Sequence, residues 1–182
     1  MLNFIHDNRN SSILPSSGIY VDAKVSAYKG LNTFSNSIAQ FTGSVAFYKS
    51  LDKKGHLVIS DRVGGGVTIG KQAFYQSQFL GGQGNLLGYR EFRFGGQHSL
   101  YNNLEMRLKV ANFVNYILPG EFGVVGFHDI GRVWKKSEYS DVWHQGYGGG
   151  IYFAPASLVV IRAVAGYSNE GWYPYIAMKL RY

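Results

Sequence analysis

The sequence predicts an all-β protein, an antiparallel transmembrane β-barrel with about eight to nine strands in this chain. Three observations carry that reading. Apolar and polar residues alternate over long runs, the period of a strand with two unlike faces. Most of those runs reach eleven residues or more, whereas soluble strands average about 5–6 and a tilted membrane strand needs about 9–11. Trp134, Trp143 and Trp172 all fall at strand ends beside the longer loops, where a barrel carries an aromatic girdle. On these residues alone a soluble β-sandwich or lipocalin-like barrel stays open as the alternative, because it alternates too.

Turn residues cut the chain into nine predicted strands: 2–8 (partial), 18–29, 37–50, 56–75, 101–116, 121–134, 143–153, 157–168 and 172–182. In the second, Ile19, Val21, Ala23, Val25 and Ala27 alternate with Tyr20, Asp22, Lys24, Ser26 and Tyr28. The fourth contains Gly64, Gly65 and Gly66, and glycine inside a strand marks a bend or a close approach. In the fifth, Leu104, Met106, Leu108 and Val110 alternate with Asn103, Glu105, Arg107 and Lys109. The seventh puts Gly146, Gly148 and Gly150 on one face, leaving space beside it. The last alternates Trp172, Pro174, Ile176, Met178, Leu180 and Tyr182 with Tyr173, Tyr175, Ala177, Lys179 and Arg181. Compact turns (Leu14–Gly18, Asp52–Gly55, Pro119–Gly120, Ala154–Ala156) share the chain with two longer connections, Gln76–Leu100 and Lys135–Val142. Short turns at one rim and long loops at the other is the habit of an outer-membrane barrel.

Composition agrees. The 182 residues include 24 Gly, 14 Tyr and 12 Phe but only 4 Pro, with glycine nearly twice its usual ~7%. Equal shares of aromatic and charged residues, 16% each, exclude a disordered chain. The longest stretch free of Asp, Glu, Lys and Arg, Val142–Ile161, holds His144, four glycines and Pro155, so it is no membrane helix. Met1–Asp7 has neither a basic nor an apolar signal region. With no cysteine, disulfides, thiolate metal sites and cysteine nucleophiles are excluded. The net charge is +7, but the positives are scattered, with Lys53-Lys54 and Lys135-Lys136 the tightest groups. A basic balance suits nucleic acid, anionic lipid or lipopolysaccharide, and the scatter makes nucleic acid an unexpected partner.

His6, His56, His98, His128 and His144 show no metal-ligand spacing, and no metal or cofactor is expected. The Gly82-Gln83-Gly84 run precedes no helix, so it is no phosphate loop. No Ser/His/Asp or paired-carboxylate set stands out. The expectation is a protein that is not an enzyme, with no catalytic residues.

Ordered motifs then carry a resemblance. Leu80–Val110, LGGQGNLLGYREFRFGGQHSLYNNLEMRLKV, resembles the bacterial surface antigen barrel of the BamA/TamA assembly family. Leu86-Leu87-Gly88-Tyr89 matches that family's V-R-G-F/Y loop element, and the strand from Ser99 to Leu108 is similar to its S-L-Y-x-N-x-E-L-R-L. Gly126–Trp134 looks like its G-F-x-D-x-G-x-V-W strand, and His6–Asn10 followed by Leu14–Gly18 looks like its D-x-R-x-x-x-x-P-x-x-G turn. Details of the loop and of Tyr147–Phe153 look most like Bacteroidetes-type members.

The resemblance implies a sixteen-strand barrel in which residues 1–182 form the C-terminal half, with an inward-folding loop over 76–100. Taken alone, such a chain is expected to close as a small barrel, to pair with a second copy, or to be part of a larger wall. The resemblance also implies a place in the bacterial outer membrane and a role in outer-membrane protein assembly or translocation. Partners would then be outer-membrane lipids and lipopolysaccharide, the outer-membrane insertion machinery and client proteins. The alternative is a passive anchor or pore for a missing N-terminal domain such as a phosphoesterase, and upstream sequence discriminates the two. Ile176, Met178, Leu180 and Tyr182 are expected to form the C-terminal insertion signal. One departure stands out: the family's loop arginine is Leu87 here, while the aspartate it meets is kept as Asp129. Arg90, ahead of Arg93, is the expected replacement partner for Asp129, with Gly88 permitting close approach and Tyr89 packing on the inner wall.

Overall fold

The computed structural model describes residues 1–30, 36–113, 119–135, 141–156 and 158–182. Their strands are β1 (Leu2–Asp7), β2 (Ser17–Tyr28), β3 (Ile38–Ser50), β4 (Leu57–Gly70), β5 (Gln78–Leu80), β6 (Phe94–Gly96), β7 (His98–Phe113), β8 (Gly120–Trp134), β9 (His144–Pro155), β10 (Ile161–Ser168) and β11 (Gly171–Ala177). Nine of them make one antiparallel sheet in the order β1-β2-β3-β4-β7-β8-β9-β10-β11, and β5 pairs with β6 as a separate hairpin. The large sheet does not close on itself, which is consistent with half of a barrel. β3, β4, β7 and β8 run for 13, 14, 16 and 15 residues, beyond the ~9–11 that cross a bilayer when tilted.

The register places unlike residues on the two faces. On β7, paired with β4 through Met106↔Ile59 and with β8 through Asn103↔Asp129, the apolar set Leu104, Met106 and Leu108 points outward. Phe41, Phe47, Val63, Val124, Ile151 and Ile161 join them on the exposed outer face. The buried inner face carries Ser44, Ser60, Arg62, Thr68, Asn103, Glu105, Arg107, Asp129, Arg162 and Ser168. A water-soluble sheet buries its apolar side, and here the large aliphatic side chains are the exposed ones while the buried face is polar. That inversion is the arrangement of a wall with lipid outside and a polar lumen inside.

The concave inner face is filled by three segments. The β4–β7 connection enters from the long-loop rim. The β1–β2 turn enters from the opposite rim, where Ile13 and Leu14 pack on Tyr152, Ala154 and Val160. The C-terminal tail enters from the edge beside β11.

Several strand ends differ from the sequence expectation. The strand expected over 56–75 stops at Gly70, whose φ of 109° turns the chain into a short 3-10 segment at Phe74–Gln76. β7 begins at His98 rather than 101, paired with Val67 on one side and Trp134 on the other. The strand expected over 157–168 begins at Ile161, after Ala156 takes a φ of 49°. The strand expected over 172–182 ends at Ala177. Its last partner is Arg162, next to the first residue of β10, so no ladder remains for the residues beyond it. Met178–Tyr182 therefore leave the sheet. Ile176 and Met178 stay exposed on the outside, whereas Leu180 packs under Val160 and Tyr182 lies inside. The single face expected to hold Ile176, Met178, Leu180 and Tyr182 does not exist. The C-terminal end of the strand expected at 101–116 and most of the 135–142 loop lie outside the described residues.

Candidate lumen site

The inward loop starts from its own hairpin. β5 and β6 pair through Phe79↔Gly95, and Leu80, Leu86 and Tyr89 pack together against Phe94, Tyr101 and Val133. The tip is closed by two backbone bonds, Gly82 N–H to the Tyr89 carbonyl and Leu86 N–H to the Gly82 carbonyl, both 3.2 Å. Leu86, Leu87 and Tyr89 are at most 2% exposed, so the tip of this long loop sits inside, whereas Phe74, Tyr75 and Phe92 of the same connection stay exposed.

Small residues in the wall receive the tip. A Cβ on Gly146 would stand 1.8 Å from the Leu87 carbonyl oxygen, and one on Gly166 would stand 2.6 Å from the Gly88 nitrogen. Gly88 itself has a φ of 93° that other residues rarely adopt. Of the three aligned glycines in β9, only Gly146 touches the loop, because Gly148 and Gly150 lie against the backbone of β10. Gly166 was not anticipated. Around the tip, the Tyr175 hydroxyl donates to the Tyr89 carbonyl at 2.6 Å and accepts from the Gly88 N–H at 3.1 Å. The Tyr89 hydroxyl lies 3.1 Å from the Gln145 carbonyl and 2.9 Å from Asn169 Oδ1.

Asp129 is the hub beneath the tip, with no exposed surface. Its Oδ2 accepts the Leu87 N–H at 2.7 Å, and its Oδ1 accepts Asn103 Nδ2 at 3.0 Å and Arg181 Nη1 at 2.6 Å. Leu87 thus serves the carboxylate with its backbone, while its side chain packs on Val125, Phe127, Val164 and Tyr175. Asn103 extends the hub: its Nδ2 donates to the Asn85 carbonyl at 2.6 Å, and its Oδ1 accepts Arg62 Nε and Nη2 at 3.0 and 2.7 Å. Arg62 stacks over the Tyr182 ring at 4.6 Å, and the Tyr182 hydroxyl donates to the Asn103 carbonyl at 3.1 Å.

The cation that balances Asp129 is neither of those expected. Arg93 Nε binds Glu170 at 2.7 Å in a half-exposed pair, and Arg90 is exposed with no bond to Asp129. Arg181 takes the place from the tail and ties it to the loop, donating its Nε to the Gln83 carbonyl at 3.1 Å. Gln83 Nε2 in turn donates to the Ile176 carbonyl at 3.2 Å. Arg181 lies on the inward-facing set of the last alternating run, a signal that could have found it. A second buried pair, Arg162 with Glu105 at 2.7 Å, was not anticipated either, although Glu105 was on the polar face of its strand.

An Omp85 superfamily domain matches residues 1–166, from β1 into β10. This chain belongs to the Omp85 superfamily. A search of curated proteins finds no match. Omp85 family members are outer-membrane proteins of bacteria, which supports an outer-membrane location for this chain in general terms. The tryptophans fit the same Omp85 wall. Trp134 and Trp143 meet edge-to-face at 6.3 Å across the β8–β9 connection, and Trp172 is exposed beside Tyr167 at 5.1 Å. All three lie at the long-loop rim. At that rim His144 stacks on Phe94 at 3.6 Å and so packs against the loop. The matched span of the Omp85 domain ends before Arg181, so the tail that supplies the Asp129 counter-charge lies outside it.

Proposed function

We propose that this chain is the C-terminal half of a BamA/TamA-type barrel that helps assemble or translocate outer-membrane proteins. Membership of the Omp85 superfamily supports an assembly or translocation role in general terms. The observation that carries the finer reading is the loop tip Leu86–Tyr89, held in the lumen on a buried carboxylate by its own backbone. The Asp129, Asn103 and Tyr175 contacts fix that loop across the interior. In this reading outer-membrane lipids and lipopolysaccharide contact the outer belt, and client proteins are handled at the lumen. The details of the loop and of Tyr147–Phe153 favour Bacteroidetes-type relatives. The role of insertion signal is proposed for Ile176 and Met178, whose side chains remain on the outer face.

The test is depletion of the full-length protein in its own bacterium, followed by quantification of the outer-membrane proteome. Loss of several unrelated barrels, restored by wild type and not by Asp129→Ala, is the expected result. An unchanged barrel inventory would leave only the passive-anchor role.

A further inference from the structure

The buried inner face holds more positive than negative charge. Among the described residues, the guanidinium groups of Arg62, Arg107, Arg162 and Arg181 are buried there against two buried carboxylates, Glu105 and Asp129. Those carboxylates are taken by Arg162 and Arg181, at 2.7 and 2.6 Å. Arg62 finds Asn103 and a backbone carbonyl, and Arg107 finds the carbonyl of Pro15, so both have only neutral partners. Three guanidinium nitrogens, Arg107 Nε, Arg162 Nη2 and Arg181 Nη2, make no hydrogen bond to the protein. Buried charge in excess and buried donors without acceptors are both costly.

Two of those three nitrogens belong to residues that line one cavity. It has a volume of about 120 Å³ and lies between the loop tip and the tail, with Arg162, Arg181, Lys179, Gln83 and Tyr175 among its walls. We propose that this cavity binds a phosphate-type oxyanion, held by Arg162 and Arg181 with Lys179 at its mouth. Arg162 and Arg181 are each matched by one carboxylate, so Lys179 supplies the net positive charge of the site and the two open guanidinium nitrogens supply donors for an oxyanion. Arg162 has committed its Nη1 to Glu105, and Arg181 its Nη1 to Asp129 and its Nε to the Gln83 carbonyl, which leaves Nη2 of each as a charged donor for an oxyanion oxygen. Leu87, Val164, Ala177 and Leu180 supply an apolar flank. The site therefore accepts either free phosphate or a phosphate carried on a lipid headgroup that enters beside the edge strand β11. The proposal rests on the wall and tail geometry and stands whether or not the barrel assembles other proteins.

The test uses full-length protein extracted from outer membranes into mild detergent and freed of phosphate. Its thermal unfolding is followed with added inorganic phosphate, with chloride at matched ionic strength, and with dihexanoyl phosphatidic acid against dihexanoylglycerol. Lys179→Ala, at an exposed position, and the charge-neutral pair Arg162→Met/Glu105→Gln are measured in parallel. The expected result is a saturable rise in midpoint with phosphate that chloride does not give, weakened about tenfold in Lys179→Ala and at least as much in the paired variant. Saturation at lower concentration by phosphatidic acid than by phosphate identifies a headgroup, and the reverse identifies the free anion. Identical responses to phosphate and chloride in the folded wild type would overturn the proposal. So would an undiminished phosphate response in Lys179→Ala.

Discussion

Strand β7 meets two different solvents along one backbone. Leu104, Met106 and Leu108 are 39%, 50% and 44% exposed on its outer face, while Asn103, Glu105 and Arg107 are 0%, 3% and 4% exposed on its inner face. The ladder hydrogen bonds are shared by both faces, so the difference lies in how each side chain is satisfied. Outside, the requirement is only to be apolar, and many residues meet it. Inside, each polar group needs a specific partner, and the partners form one connected set from Arg62 through Asn103 and Asp129 to Arg181. Single changes should therefore cost more on the inner face than on the outer one.

The largest effect is expected at the hub. Asp129→Ala removes the acceptor of Arg181 and of the Leu87 N–H, and breaking a buried pair on one side costs about 3–5 kcal/mol. Urea unfolding in detergent should show that loss, with faster protease clipping between Gly82 and Gly95. Arg93→Ala breaks the half-exposed Glu170 pair and a contact over the Phe94 ring at 5.2 Å, and should cost about 1 kcal/mol. Equal losses in the two variants would end the distinction between hub and surface.

Next comes the outer belt. Met106→Arg places a cation toward lipid and should cost about 2–4 kcal/mol if it lies near the bilayer midplane. Met106→Leu should be close to neutral by the same measurement. A smaller effect is expected from the receiving wall. Gly146→Ala drives a methyl group into the Leu87 carbonyl and should cost about 1–3 kcal/mol, whereas Gly84→Ala, with open space around it, should fold as wild type.

The smallest effect lies in the turn between β3 and β4, outside the membrane wall. The Leu57 N–H, donating to Asp52 Oδ1 at 2.9 Å, is the main cause that holds this carboxyl at about 2, with the His56 and Lys54 N–H groups and Ser50 adding to it. Because the folded value lies below the ordinary 3.8, the turn's carboxylate contribution is complete above pH of roughly 4 and fades as pH falls through about 2. The protection of the Leu57 amide against exchange, relative to an unstructured amide at the same pH, should fall over that window in wild type and show no such step in Asp52→Asn.

Much of the wall could be read in the sequence because period-two alternation survives in every long strand, and the tryptophans mark one rim. The inward loop was legible from its motif and its aromatics. What could not be read was which segment crosses the lumen to meet which. Arg90 and Arg93 are the arginines near Leu87 in sequence, yet Arg181 reaches Asp129 because β11 loses its ladder after Ala177 and the tail turns inside. The same turn takes Leu180 and Tyr182 away from Ile176 and Met178, and no periodicity signals it. The fit of Gly166 against Gly88 likewise depends on a contact across strands and loop that one-dimensional spacing does not contain.

The central claim is that the apolar face of this sheet meets lipid and the polar face lines the interior. The chain has no cysteine, so single cysteines can be placed without background. Cysteines at Leu104, Met106 and Leu108 on one face, and at Ser60, Tyr101 and Lys109 on the other, would be coupled to one fluorophore in protein reconstituted into bilayers. Brominated lipid chains should quench the first three strongly and the second three weakly. Equal quenching of both sets, or stronger quenching of the inner set, would contradict the account.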